Sequence, residues 1–359
     1  MTRKRPTTAG KKPSLRDVAE MAGVSAAAVS YVVNGKKGEV GPEAVARIQN
    51  AITVLRYQPQ RRGLSMRFNR EFSIGLIIVD ADPSFLTDAY TTQVASGLSN
   101  ALVEPGYGLL VTGCRNFGDL QNLVSRPVGV DAYVVIASGA KEERDAAYAA
   151  LHETNLPVVI IQEEVPPALG NACAIVQDDF TGAWTLAGDL VNNGANRILW
   201  VLPERPWPAN ERREKGLMAA CVGKAAVETI QCDEQNFEGT VRAITSNIEQ
   251  NGFPDAIMGA NDQIAIAALS ALRRLKADVP GRVQVTGYND FPFRNFSSPL
   301  LTTVVSPASE IGRRAAEAVL ERLDSGSFSQ RKIELAVRID YGETTVPENT
   351  KASRAFNAI

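Results

Sequence analysis

Seven short apolar runs, the first followed by a loop and a stretch of helical spacing, do most to limit what this chain can fold into. They are Phe72-Ser-Ile-Gly-Leu-Ile-Ile-Val79, Gly108-Leu-Leu-Val-Thr112, Ala132-Tyr-Val-Val-Ile-Ala137, Pro157-Val-Val-Ile-Ile161, Ile198-Leu-Trp-Val-Leu202, Ala256-Ile-Met-Gly259 and Val283-Gln-Val-Thr-Gly287. Runs of this length and composition read as buried strands. Strands that alternate with helices imply parallel sheets with helices on both faces. About nine such units split naturally into two lobes. Ligands in such folds sit at the carboxyl ends of the strands, which here means a cleft between the lobes.

The first part of the chain follows a different rule. Ser14-Leu-Arg-Asp17 reads as a capping box, with a hydroxyl and a carboxylate for the first amides of a helix. Leu15, Val18, Ala19 and Ala22 then recur at helical spacing. Gly23 breaks that helix, Val24 is a buried spacer, and Ser25 caps a second helix through Val33, which Asn34-Gly35 stops. A third helix is expected from Pro42-Glu43, proline being favoured at a first position, with Val45, Ile48, Ile52 and Leu55 buried. Two short helices joined by a tight glycine-containing turn make a helix-turn-helix, whose second helix reads the major groove.

Charge supports that division. Residues 1–70 hold 14 Lys and Arg against 4 Asp and Glu, a net of +10; the remainder holds 24 against 36, a net of −12. A basic block joined to an acidic body is the footprint of a nucleic-acid-binding module on something that must not bind DNA. At 359 residues, with 45% hydrophobic and 22% charged residues, the chain has ordinary globular composition for two or three folding units. No run of about 18 apolar residues suggests a membrane span. Met1-Thr-Arg-Lys-Arg-Pro6 is basic with no apolar stretch behind it, so it does not read as a secretory signal, and a cytoplasmic protein is expected. Cys114, Cys173, Cys221 and Cys232 have no C-x-x-C spacing and read as reduced, buried thiols. A single histidine, His152, builds no triad or metal cluster, and no phosphate-binding glycine loop is present. No catalytic residue, metal or cofactor is assigned, and an enzyme is not expected.

Leu15-Arg-Asp-Val-Ala-Glu-Met-Ala-Gly-Val-Ser-Ala-Ala-Ala-Val-Ser-Tyr-Val-Val-Asn-Gly35, followed by Leu55-Arg-Tyr-Gln-Pro59, resembles the headpiece of LacI/GalR-family transcriptional regulators. The resemblance runs from about Ser14 to about Thr345. It implies α plus α/β architecture: an N-terminal three-helix helix-turn-helix headpiece, a hinge helix, and a two-lobed core like that of periplasmic binding proteins. The expected boundaries are a basic tail at 1–13, headpiece at 14–58, hinge at 59–71, core at 72–346 and a tail at 347–359. Lobe one takes 72–174 and 307–326, and lobe two takes 175–306 and 327–346. The crossings are then near Ala174, Ser306 and Ser327.

The family reads its operator with the start of the second helix, here Ala26 and Ala27, with Tyr31 a turn further on. Alanine makes no hydrogen bond to a base edge but packs on a thymine methyl. Ser25 and Ser30 are expected on phosphates, Ser14 and Asn34 belong to the same expected interface, and Ala28 stands where the family usually has Thr. In the hinge, Met66 falls at the position of the family's minor-groove leucine wedge, Gly63 weakens the hinge helix, and Arg61, Arg62 and Arg67 add phosphate charge. For the effector, Asp80, Phe85 and Leu86 follow the first strand, Trp207 follows Leu202, and Arg213 matches the family arginine. Asn261 matches the family Ala-Asn-Asp, while Asn289 replaces the usual aspartate of Gly-Tyr-Asp-Asp.

The expected partners are therefore double-stranded, pseudo-palindromic operator DNA, a small-molecule effector of carbohydrate type, and a second copy of the chain in a homodimer, with no membrane. A ligand shifts the lobes only by binding one arrangement more tightly than the other. The alternative, a solute-binding protein, accounts for the body but not for the headpiece. The tail at 347–359 carries no leucine heptads, so no coiled-coil arm is expected.

Overall fold

The computed structural model describes residues 13–33, 36, 38–57, 70–82, 84–126, 129–167 and 169–346. The chain divides into two compact units, Met1–Glu71 and Phe72–Ile359.

In the first unit, α1 (Leu15–Ala22), α2 (Ala26–Val33) and α3 (Pro42–Leu55) pack around Val18, Ala19, Val29, Ile48, Ala51 and Tyr57. The capping box is present: Ser14 Oγ accepts from the Asp17 amide, and the Asp17 carboxylate accepts from the Ser14 amide. Gly23 ends α1 in the left-handed conformation (φ 64°), which lets its own amide and that of Val24 reach back to the last carbonyls. Ser25 Oγ then accepts from the Ala28 amide at 3.1 Å and starts α2. Of the expected α3 core positions, Ile48 is buried, whereas Val45, Ile52 and Leu55 are half-buried.

The second unit holds two six-stranded sheets. The first has the order β11-β5-β4-β3-β1-β2 and is parallel throughout. Its strands are β1 (Ser73–Val79), β2 (Gly108–Cys114), β3 (Ala132–Ala137), β4 (Val158–Ile161), β5 (Ala172–Gln177) and β11 (Lys332–Leu335). The second, in the order β12-β10-β9-β8-β6-β7, contains β6 (Arg197–Pro203), β7 (Ala226–Cys232), β8 (Ala256–Gly259), β9 (Gln284–Asn289), β10 (Thr302–Val305) and β12 (Arg338–Asp340). Only β12 runs antiparallel to its neighbour among these pairings. The central strands are buried along nearly their whole length, which is why they appear in the sequence as apolar runs.

Each sheet builds its own core, and the chain passes between them three times. It leaves the first sheet after Gln177, a little beyond the expected Ala174. It returns between Val305 and Ala308, and crosses again between Leu335 and Arg338. The last crossing corrects the expectation at Ser327: Lys332–Leu335 stays in the first lobe, adding as an edge strand parallel to β5. Alternating exposed and half-buried residues make this strand weak in sequence, and only pairing to β5 places it.

Two helices of the first lobe, Ala89–Val103 and Ala308–Ser325, approach to backbone contact through glycine. A Cβ on Gly97 would collide with the Ser309 carbonyl, and one on Gly312 with that of Val94. No helix among the described residues is long and apolar enough to cross a membrane. All four cysteines are buried and unpaired, and burial pushes Cys114, Cys173 and Cys232 up to about 11, which leaves them inert thiols.

Candidate functional site

On the headpiece, the start of α2 is presented to solvent: Ser25, Ala26 and Ala27 are exposed, and Ser30 and Tyr31 are half-buried. The Lys36 ammonium lies 5.3 Å from the Tyr31 ring centroid, a cation–π contact that steadies the aromatic at the end of the helix. Ala28 turns partly inward against the headpiece core, so its methyl contributes to packing. Ser14 is half-buried and holds its hydroxyl on Asp17. Asn34, Arg61, Arg62 and Met66 lie outside the described residues, as does the hinge expected at 59–71 up to residue 69.

In the core, the carboxyl ends of strands from both sheets converge on a cleft made of two adjoining chambers. The larger, of 190 Å³, is lined from the first lobe by Asp80, Asp82, Phe85, Asp88 and Thr91. The segments 203–207 and 232–235 line it from the second. The smaller, of 50 Å³, lies between Tyr90 and Gln162 on one side and Arg213, Asn261, Asn289 and Phe291 on the other. Asp88, Pro203, Trp207 and Glu234 border both. The convergence follows from topology, since parallel strands deliver all their carboxyl ends, and the loops after them, to one edge of the sheet.

The cleft walls are tied to each other. Arg205, from the second lobe, donates from Nε to Ser138 Oγ at 2.5 Å. Ser138 in turn donates to Asp80, and Arg205 lies 3.7 Å from that carboxylate. The Gly139 amide donates to the Pro206 carbonyl at 2.9 Å. Further out, Arg144 makes a two-pronged ion pair with Glu163 of its own lobe and reaches Glu211 of the other at 3.1 Å. Beneath the small chamber Arg213 donates to Asp179 (2.8 Å), the Ala260 carbonyl (2.6 Å) and Asn289 (3.0 Å), and its guanidinium stacks on Tyr288 at 3.7 Å. Asp179 also accepts from Gln177, which accepts from Ser306, so this network reaches two of the crossings.

Burial dominates the titration of Glu234 and Asp88. It pushes Glu234 up to about 7, with the Asp88 and Asp80 charges adding and the Asn261 hydrogen bond opposing. Burial likewise raises Asp88, whose carboxylate caps the Ala89–Val103 helix through the Thr91 amide at 2.6 Å.

Comparison with known proteins agrees with both halves. Residues 14–60 match the model of bacterial regulatory proteins of the lacI family, and residues 187–345 that of a periplasmic binding protein-like domain. The chain thus joins a lacI-family DNA-binding domain to a periplasmic binding protein-like domain. The chain is 26% identical over 337 residues to the ribose operon repressor of Escherichia coli (strain K12), covering 90% of this chain and 96% of that one. It is 27% identical over 334 residues to the HTH-type transcriptional repressor PurR of Mannheimia succiniciproducens, covering 90% and 95%. In fold it resembles the lac repressor dimer bound to operator and the anti-inducer ONPF, with a TM-score of 0.80, 21% identity, and coverage of 94% of this chain and all of that one.

Against this geometry the expected effector residues separate. Asp80, Phe85 and Trp207 line the large chamber, and Arg213, Asn261, Asn289 and again Trp207 the small one. Leu86 does not: it is 55% exposed on the short 3-10 turn Phe85–Thr87, and lines neither chamber. In the cleft Arg213 is 3% exposed and spends three donors on the protein, and Asn261 spends Oδ1 on the Ile264 amide and Nδ2 on Glu234. Both therefore shape the wall as much as they present to a ligand. Sequence reasoning missed Asp82, Asp88, Tyr90, Gln162, Glu204, Arg205, Asp233 and Glu234. Gln162 directly follows β4 and could have been found by its strand-end position; Glu234 follows β7, an edge strand whose mixed polar sequence gives no apolar run.

Proposed function

We propose that this regulator is a repressor whose affinity for operator DNA is set by a small molecule bound in the cleft between its lobes. One observation carries the reading: a single chain joins a headpiece with the start of its second helix exposed to a two-lobed core with a polar cleft at its strand ends. In the complex, the exposed Ser25 hydroxyl and the amides at the start of α2 face phosphate, Ala26 and Ala27 pack on thymine methyls, and Tyr31 supplies the polar contact to a base. One headpiece reads half a site, so the working form is a homodimer on a pseudo-palindrome.

The effector reading rests on the chambers, whose modest volume and mixture of carboxylates, amides and aromatic faces suit a monosaccharide-sized, hydroxyl-rich molecule. The relatives named above are a ribose operon repressor and PurR, which fits a sugar or another small metabolite here. Closing the cleft around a ligand strengthens the ties at Arg205 and Arg144, and opening releases them. A ligand thereby biases the spacing of whatever the lobes carry. A solute-binding protein without a role at DNA would leave the headpiece unexplained.

The test is footprinting of the purified chain on DNA upstream of its own gene and its neighbours, with and without a metabolite panel. Protection of a pseudo-palindrome that one metabolite strengthens or relieves is expected. If no such site is protected, the chain is not a regulator of that region and the reading fails.

A further inference from the structure

The charge of the cleft narrows the chemistry of its ligand, an inference that rests on the effector-controlled reading above. Asp82 and Asp88 face the large chamber from the first lobe; Glu204, Asp233 and Glu234 face it from the second. Arg205 is the one cation among the residues that line it, and its guanidinium is already held by Ser138 and set against Asp80. With that pair removed from the balance, five carboxylates remain. None of the five forms an ion pair among the described residues. Like charges brought together from two lobes repel, and burial and the neighbouring carboxylates hold Glu234 up at about 7.

A second sign comes from the small chamber. Tyr90 and Gln162, only 5% and 6% exposed, line it. Tyr90 Oη and Gln162 Oε1 are buried without a well-aligned hydrogen-bond partner among the described residues, although the two side chains lie close enough to interact with each other. A buried amide oxygen without a donor is costly, and a hydroxyl or N–H group entering the chamber would satisfy it. Trp207 borders both chambers and Phe85 the larger, offering aromatic faces to a ring or to a cation. The carboxylates ring the space and do not converge: among the described residues, no three metal-ligating side chains are placed to hold an ion. The missing charge therefore belongs to a molecule.

We propose that the effector is a hydroxylated organic cation, with a protonated amine between Asp88 and Glu234 and hydroxyls against Gln162 and Tyr90. Such a ligand bridges acids of opposite lobes and cancels their repulsion. It therefore binds the closed arrangement more tightly than the open one, which is the condition for a switch.

Calorimetric titration of the full chain at pH 7 tests this with matched probes: glucosamine against glucose, galactosamine against galactose, and 1-amino-1-deoxysorbitol against sorbitol. In at least one pair the amine is expected to bind about 10-fold tighter or more, the advantage of a charge-assisted over a neutral hydrogen bond. That preference should shrink in the double variant Asp88→Asn, Glu234→Gln, with the thermal transition checked to exclude misfolding. Neutral members binding as tightly as their amines, no amine binding at all, or Mg²⁺ alone binding in their place would each overturn the proposal. The comparison within the unmodified chain needs no variant to fold. A neutral sugar that alters the operator footprint would sink the cation inference and leave the regulator reading standing.

Discussion

Glu234 shows at the scale of one residue how the site is strained by its own composition. Its ordinary value is 4.5, and the fold raises it to about 7, burial first and the Asp88 and Asp80 charges after it. A carboxyl whose folded value is raised favours the protonated fold. Its full contribution to stability is thus present below about 4.5 and is lost as pH rises through about 7. Glu234→Gln removes the ionisation and keeps an oxygen to accept from Asn261. The variant is expected to melt above the parent at pH 8 and to converge with it at pH 4.5, as read by calorimetric scans across that range. An offset that stays constant with pH would show that Glu234 does not titrate as its surroundings dictate.

At the scale of the element, the first lobe depends on two glycines that let a pair of its helices meet at backbone contact. The Ala89–Val103 and Ala308–Ser325 helices meet where Gly97 faces the Ser309 carbonyl and Gly312 faces Val94. No rotamer change relieves a Cβ pressed on backbone, so the helices must separate. Gly97→Val should cost about 1–3 kcal/mol or more, in the range of overpacked cores, measured by urea unfolding. The equivalent change at Gly188, where a Cβ meets nothing within 4 Å, is expected to cost far less. Equal losses at the two positions would deny the close approach its importance. The helix carrying Gly312 enters the first lobe only after the second crossing, so its packing also fixes where residues 302–308 run.

For the whole core, the coupling of the lobes to a ligand depends on few contacts. Arg205 joins Ser138 and Asp80 across the cleft mouth, and Arg144 joins Glu211 further out. Both Glu211 and Arg205 are accessible enough that each tie is weak alone and easily exchanged for water. That weakness suits a part that must open and close. Arg205→Ala is expected to widen the cleft in small-angle scattering. It should also raise the ligand concentration needed to change the operator footprint, without lowering operator affinity in the absence of ligand. Loss of DNA binding in that variant would place Arg205 in folding and not in the switch.

Much of this molecule is local, and that part was legible from residues alone. The order of cap, break and cap at Ser14, Gly23 and Ser25 depends on side chains bonding amides three residues away, and it appears in space as it reads in sequence. The central strands of both sheets are buried on two faces, so they announce themselves as apolar runs. Asp80 and Trp207 could be placed near the cleft because loops after parallel strands must gather at one edge, whereas Arg213, on a helix, came from the family resemblance. What tertiary structure alone decided is everything that depends on apposition. Edge strands β7 and β11 carry mixed residues and become strands only by pairing, so Glu234 and the last crossing were hidden with them. Ala28 packs partly on the headpiece core and Leu86 faces solvent, because one turn of helix or 3-10 structure rotates a side chain inward or outward. Above all, residues 82–88, 204 and 233–234 are far apart in the chain, and nothing local records that their carboxylates confront each other. Charge repulsion acts through distance in space; the sequence supplies the charges, and only the fold sets the distance.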